Sequence, residues 1–192
     1  MISIIIPTCP GSEEILERCV NSVIRNTNGE YNLIIIKNDF IGFAKAINKG
    51  LEKIDSDFIL LNDDTTVLKG WIDEIIRASK EYDIVGQKGY MRPEHFPFWG
   101  VYIKKELIDK IGLLDERFEV GEWEDVDYCI RAIDAGFKLG ETESQLIVHP
   151  SPSTTLRRVT KEQEEKRKQN KQIFLDKWKG TKWEKRITGE EW

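Results

Sequence analysis

Apolar residues come in short runs that alternate with stretches of helical spacing. The run "ISIIIP", ending at Pro7, has the length and β-branched content of a buried parallel strand. "SEEILERCVNSVIRN" then places Ile15, Cys19 and Val23 on one helix face, with Leu16 and Val20 beside it. Ser12 or Gly11 stands where a cap belongs. The signals repeat. "YNLIIIK" reads as a strand, "GFAKAINKGLEKI" as a helix, "DFILLND" as a strand, "LKGWIDEIIRASKEY" as a helix and "DIVGQ" as a strand. Strands alternating with helices across short loops predict an α/β sheet with helices on both faces.

The rhythm changes after residue 86. "MRPEHFPFWGVYIKKELIDKIG" reads as a loop, a strand at 99–103 and a short helix. "LLDERFEVGEWED" connects to a helix over about 124–135, and "GFKLGETESQLIVHP" supplies one or two more strands before Pro150 and Pro152 end the run. From Thr160 the chain reads as a long charged helix that packs through Ile173, Phe174 and Trp178. The last dozen residues fray, with Trp183 and Trp192 as pins. Residues 1–155 form the main domain, and 156–192 a basic helix and tail packed on it or extending from it.

A chain of 192 residues with 40% hydrophobic content and six Trp suits one domain with a sizeable core. Cys9, Cys19 and Cys129 have no metal-ligand spacing and cannot all pair internally, which points to a reducing compartment. No apolar run approaches the roughly 18 residues of a membrane span. "MISIIIPTC" is too short for a signal peptide and lacks a basic start. The expectation is a cytoplasmic protein. The net charge of −5 is uneven, because residues 156–192 carry 12 Lys or Arg against 7 Asp or Glu. An acidic body argues against nucleic-acid binding. The basic tail is a candidate for peripheral contact with an anionic membrane surface or a partner, a homodimer included. The competing reading is an ordinary solvated helix.

Two stretches concentrate acids. "FILLNDDTTV" carries Asn62, Asp63 and Asp64 to a strand end, where open parallel sheets bind ligands. Adjacent carboxylates there suit a hard divalent ion that shares its shell with water and diphosphate oxygens. The plainer alternative is a turn in which Asp64 or Thr65 caps the third helix. "GEWEDVDYCIRAIDAGF" holds Glu122, Glu124, Asp125 and Asp127 in six positions at a helix start. The helix N-terminus favours an ionised Asp125, and an ionised carboxylate in a cleft accepts a proton from a hydroxyl nucleophile. Helix-start chemistry alone is the competing reading, with Glu124 and Asp127 capping or orienting. His149, between "QLIV" and Pro150, is either structural or a metal or phosphate ligand at the same mouth. His95 sits in a loop with Phe96, Phe98 and Trp99, aromatics that suit either core or an acceptor platform for a sugar.

In this order the motifs "SIIIPT", "IGFAKAINKG", "LLNDDT", "FWGVYIKKELIDKIGLLDERF", "WEDVDYCIRAIDAGFKL" and "NKQIFLDKW" resemble the GT-A fold glycosyltransferases. Within them the chain is similar to family 2 and its rhamnosyltransferase-like members. The resemblance runs to about residue 178. It implies a Rossmann-like nucleotide-diphospho-sugar transferase fold with a central, mostly parallel sheet. It also implies a nucleotide-sugar donor, Mn or Mg, and inverting transfer to a hydroxyl on a glycan, lipid-linked or protein-linked acceptor. Pro7, Thr8 and Cys9 would contact the nucleoside. Asn62, Asp63 and Asp64 stand in the place of the metal signature, with Asp64 as metal ligand and Asp63 on the ribose or the metal. Glu124 and Asp125 match the catalytic pair, with Asp125 as base. Trp99 and Gly100 match the donor- or acceptor-side strand, His149 a metal or diphosphate ligand, and Arg131 a member of structural ion pairs. One departure stands out. Lys37 occupies the position of the acid that recognises the base, leaving Asn38, Asp39 or backbone groups as substitutes. A non-catalytic sugar-nucleotide or glycan-binding module is the alternative. A nucleotidyltransferase is a weaker one, because "PTCPGSEE" has no Lys or Arg for a triphosphate.

Overall fold

Successive residues of a strand point to opposite faces, so a sheet covered on both sides needs apolar residues at every position. Ile4, Ile5 and Ile6 of strand β1 (Ile2–Thr8) meet that need and have no exposed surface. The computed structural model describes residues 1–39, 41–92, 94–150 and 160–184. After β1 come α1 (Glu13–Asn26), β2 (Tyr31–Lys37), α2 (Phe43–Leu51), β3 (Phe58–Leu61), β4 (Thr66–Val67) and α3 (Trp71–Ala78). Then follow β5 (Ile84–Gly86), β6 (Gly100–Ile103), α4 (Lys105–Ile111), α5 (Glu124–Asp134), β7 (Leu139–Glu141), β8 (Ile147–Val148) and α6 (Lys161–Trp178).

Six strands form one sheet in the order β2-β1-β3-β6-β5-β7. Only β6 runs antiparallel to its neighbours; the other contacts are parallel. The period-two alternation divides the interior. Ile5, Phe58, Leu60, Ile84, Val101 and Ile103 face α2, α4 and α5, whereas Ile4, Ile6, Ile59, Leu61, Val85 and Tyr102 face α1 and α3. The mixed α/β sheet flanked by helices is therefore the architecture expected from the sequence.

Several local expectations need correction. The short antiparallel pair β4–β8, with Thr66 opposite Val148 and Val67 opposite Ile147, was not legible in the run after "FILL". It intervenes between Asp64 and α3, so neither Asp64 nor Thr65 caps that helix; Gly70 occupies the cap position with φ 86°. Ser12 does precede α1, but its side chain makes no capping hydrogen bond. Thr160 caps α6 through a full capping box with Gln163, where the side chain of each residue accepts from the backbone amide of the other. Pro152 and Trp192, expected to end a strand run and to pin the terminus, lie outside the described residues.

Helix α6 docks on α5. Phe174 and Trp183 join Phe118 and Ile130 in a third apolar cluster, with Ile173 and Trp178 at its margin. The basic charge of this region has partners on the acidic body: Lys166 with Glu119, Arg167 with Glu122, Lys177 with Asp115 and Asp127, and Lys182 with Asp134. The charge asymmetry read from the sequence thus joins two parts of the same chain. Asp127 is fully buried and takes Arg131 at 2.9 Å, the Trp178 indole at 3.1 Å and Lys177 at 2.7 Å. Its role is to join α5 and α6, whereas Arg131 also donates to the Ile111 and Leu113 carbonyls at the end of α4.

Candidate active site

Parallel strands β1, β2 and β3 end at Thr8, Lys37 and Leu61, and antiparallel β6 begins at the same edge, where Leu61 pairs with Gly100. The topology therefore collects residues 7–9, 37–39, 62–64 and 98–100 along one rim. This is the rim where ligands of open α/β sheets bind. Pro7 is buried, Thr8 and Cys9 are half-buried, and Asp39 is exposed. The Asn62 amide donates to the Trp99 carbonyl at 2.9 Å, and the Asn62 carbonyl accepts from the Thr65 amide at 3.1 Å and hydroxyl at 2.8 Å. These bonds make the tight turn that aims the two acids. Asp63 and Asp64 are each 7% exposed. The Thr8 hydroxyl donates to Asp63 Oδ2 at 2.8 Å, which ties the ends of β1 and β3 together.

The β4–β8 register brings His149, one residue past β8, opposite the Asp64 turn. His149 Nε2 lies 3.2 Å from Asp64 Oδ1, without the alignment of a hydrogen bond. The Trp99 ring stacks on the imidazole at 5.1 Å and 23°, and Tyr90 meets Trp99 edge-on at 4.8 Å. Trp99, Phe96 and Phe98 belong to the apolar clusters, so the aromatic loop is core, with Trp99 as the wall behind His149. Gly100 is explained by packing as well. A Cβ there would sit 3.2 Å from Ile147. His95 is half-buried beside Arg92, and burial pulls its imidazole down to about 4.

Asp125 lies beside the Phe98 backbone, next to the rim. It is half-buried in the first turn of α5, and the Val126 amide donates to its Oδ1 at 2.8 Å. Burial raises its carboxyl to about 6, opposed by backbone hydrogen bonds at Val126, Asp125 and Phe98. Desolvation outweighs those hydrogen bonds, so the carboxyl ionises less readily than that of an exposed Asp. Glu124 is 5% exposed, and its Oε2 has no hydrogen-bond partner among the described residues. Burial first, then the neighbouring Asp125 charge, push the Glu124 carboxyl well up. One short segment connects the two halves of the site. Phe98 backbone faces Asp125, and Trp99 next to it stacks on His149, which meets Asp64.

Among the described residues no group of three or more His, Cys, Asp or Glu side chains is arranged to hold a metal ion. The expected trio of Asp63, Asp64 and His149 is not assembled as a set; Asp64 and His149 meet, and Asp63 turns to Thr8. The pair itself fits a divalent ion. Two adjacent ligands of an octahedral ion, each about 2.1 Å from it, stand about 3 Å apart, close to the observed 3.2 Å. On the base side, the Asn38 amide donates to the Thr8 carbonyl at 2.7 Å, and its side-chain oxygen accepts from the Ile41 amide at 3.1 Å. Asn38 therefore builds the loop after β2, and Lys37 beside it is exposed. The residue that sequence reasoning missed is Asn170 of α6, which is 1% exposed and bonded to the turn ahead of Glu124. An Asn within a heavily charged helix gives no signal of burial.

The structure is similar to solved glycosyltransferases. A mannosyltransferase from Pyrobaculum calidifontis in complex with GDP-Man and Mn2+ matches with a TM-score of 0.68 and 13% identity over 92% of this chain and 63% of that one. GalNAc-T7 with UDP, GalNAc and Mn2+ matches with a TM-score of 0.67 and 15% identity over 81% of this chain and 44% of that one. S. aureus TarS 1-349 matches with a TM-score of 0.66 and 14% identity over 94% and 66%. The chain thus spans between 44% and 66% of the length of these proteins. No protein-family model matches it, and no curated protein matches it. The fold is that of the GT-A glycosyltransferases.

The cytoplasmic placement is corrected. The matches, TarS and GalNAc-T7 among them, do not place this fold in that compartment. Among the described residues no helix is long and apolar enough to cross a membrane, which assigns no compartment either.

Proposed function

We propose that the chain is a metal-dependent, inverting glycosyltransferase of the family 2, rhamnosyltransferase-like type, moving a sugar from a nucleoside-diphosphate sugar to a hydroxyl acceptor. The observation that carries this reading is the rim itself. A carboxylate–imidazole pair of metal-ligand spacing lies against Trp99, and a separate carboxyl raised to about 6 lies against the neighbouring Phe98 backbone. The similar structures hold GDP-Man or UDP with Mn2+, in agreement with a donor of this class.

In this reading Asp64 and His149 would hold a divalent Mn or Mg ion, which would supply positive charge to a diphosphate leaving group. Trp99 fixes the plane of His149. Thr8 orients Asp63, whose carboxylate and the backbone of Pro7, Thr8 and Cys9 face the nucleoside. Asp125 accepts the proton of the acceptor hydroxyl as its oxygen attacks the anomeric carbon. The bond to the diphosphate breaks on the opposite side, and one displacement inverts the centre. A diphosphate leaving group needs no strong general acid, so a single base suffices where a glycoside hydrolase needs two carboxyl groups. Burial and the Asp125 charge push the Glu124 carboxyl up, which favours its neutral form beside Asp125.

The test is a thermal-shift series with Mn2+ and UDP-GlcNAc, UDP-Gal or GDP-Man, followed by product analysis with glycan, lipid-linked and protein-linked acceptors. Stabilisation that needs metal and sugar nucleotide together is expected, then glycoside formation. Metal-dependent donor binding with no transfer to any acceptor would favour the binding module. Absence of any donor-dependent shift would sink both readings.

A further inference from the structure

Helix α6 lies against the site without contributing a reacting group. Ahead of Glu124, four consecutive residues have φ in the left-handed region: Val120 at 68°, Gly121 at 111°, Glu122 at 76° and Trp123 at 76°. Three of the four carry side chains that disfavour this region, and such a run persists only where its surroundings over-determine it. The surroundings here centre on one side chain. Asn170 Nδ2 donates to the carbonyls of Glu119 at 2.8 Å, Gly121 at 2.9 Å and Glu122 at 3.1 Å. Its Oδ1 accepts from the Glu119 amide at 3.2 Å. A carboxamide is both donor and acceptor, so it can gather peptide groups that the turn leaves without partners of its own.

The turn also touches the site. A Cβ on Gly121 would lie 3.8 Å from Glu124 Oε1 and 3.7 Å from Phe43 Cβ at the start of α2. Trp123, which begins α5, packs on Phe174 at 4.9 Å between ring centres. A shift of the turn therefore moves the first turn of α5, where Glu124 and Asp125 sit.

We propose that Asn170 is a positioning residue: it locks residues 119–123 in their left-handed run and thereby aims Glu124 and Asp125 into the rim. The proposal rests on the transferase reading, and its test separates the two. Asn170→Asp keeps the shape but sets a carboxylate against three carbonyl oxygens. Asn170→Ala removes the donors without adding charge and serves if the first variant fails to fold.

Hydrogen exchange is measured by mass spectrometry on peptides covering 119–124 and on the sheet strands. Transfer kinetics are measured with Mn2+ and whichever of UDP-GlcNAc, UDP-Gal or GDP-Man binds. The expected result is faster exchange confined to 119–124. It is accompanied by a kcat lowered about a hundredfold, the scale of a small misplacement of a reacting group, while donor KM stays near wild type. Wild-type exchange at 119–124 overturns the clasp whether or not the chain transfers sugar. Faster exchange with unchanged kcat overturns the positioning role. A rise in KM equal to the fall in kcat also overturns it, because donor binding would then be what the turn supports.

Discussion

The two carboxylates of the rim are held in opposite ways. Asp64 sits on the sheet's own geometry: a buried strand leads to it, a four-residue turn over 62–65 aims it, and the β4–β8 register delivers His149 beside it. Asp125 sits behind a run of left-handed residues whose peptide groups are satisfied by a helix 45 positions further on, at Asn170. The first arrangement is rigid by construction. The second depends on a distant element, and its chemistry is set by burial. In the proposed function one supports binding and the other proton transfer, so their variants should fail differently.

The largest difference is expected from Asp125→Asn. The amide keeps the size of the side chain but accepts no proton. Turnover should fall about 10²- to 10⁴-fold, the usual contribution of a positioned base, with metal-dependent donor affinity unchanged in calorimetry. Activity near wild type would remove Asp125 from the role. Asp64→Ala is the complementary break. Donor affinity in the presence of Mn2+ should weaken about a hundredfold, the upper range for groups that shape a metal site. Affinity in the presence of EDTA should stay where it is in the unmodified chain. Equal metal dependence in both chains would reject the Asp64 seat.

The same contrast governs what could be read in advance. The strand run "FILLNDD" is legible because continuous burial and a polar end leave one reading, and the pairing of Leu61 with Gly100 follows once the sheet forms. Alternation of apolar faces likewise predicts the helices on both sides. The strand before His149 was legible in "QLIV", but its partner β4 was missed because two residues are too few to show a period. The turn at 120–123 was invisible for another reason: only Gly121 of its four residues favours a positive φ. Asn170 supplies the missing constraint, and a contact across about fifty residues leaves no local pattern. The acids at 122–127 were legible as a group but not as separate roles. Asp127 is spent on Arg131, Lys177 and Trp178, whereas Glu124 and Asp125 carry the raised carboxyls.

Burial gives the comparison a pH signature. An acid raised from 3.8 to about 6 is neutral, and inactive as a base, over a wider range than an exposed Asp. Since the ionised form accepts the proton, kcat should rise with pH and level off above about pH 6, falling about tenfold per unit below it. Glu124 titrates beside it, so the apparent value belongs to the pair. The limb should vanish from the residual activity of Asp125→Asn. A plateau that extends to pH 4 would mean that Asp125 is solvated during turnover.

The smallest effect sharpens the account of how the second carboxylate is held. Two explanations compete for the turn at 119–123: the buried amide of Asn170, or the ion pairs of Glu119 with Lys166 and Glu122 with Arg167. The ion pairs are open to water, with the Glu119 side chain 42% exposed and that of Glu122 50% exposed. Water competes with such pairs and salt screens them, so they contribute little. The carbonyls that Asn170 gathers, in contrast, would lose partners that buried surroundings cannot replace. Glu122→Gln should therefore leave kcat within about twofold of wild type, and raised salt should have as small an effect. A loss in Glu122→Gln as large as that in Asn170→Asp, deepening with salt in the unmodified chain, would show that charge rather than the carboxamide fixes the turn. The base would then be held by the surface of the molecule, and the contrast with Asp64 would be one of solvent exposure instead of distance along the chain.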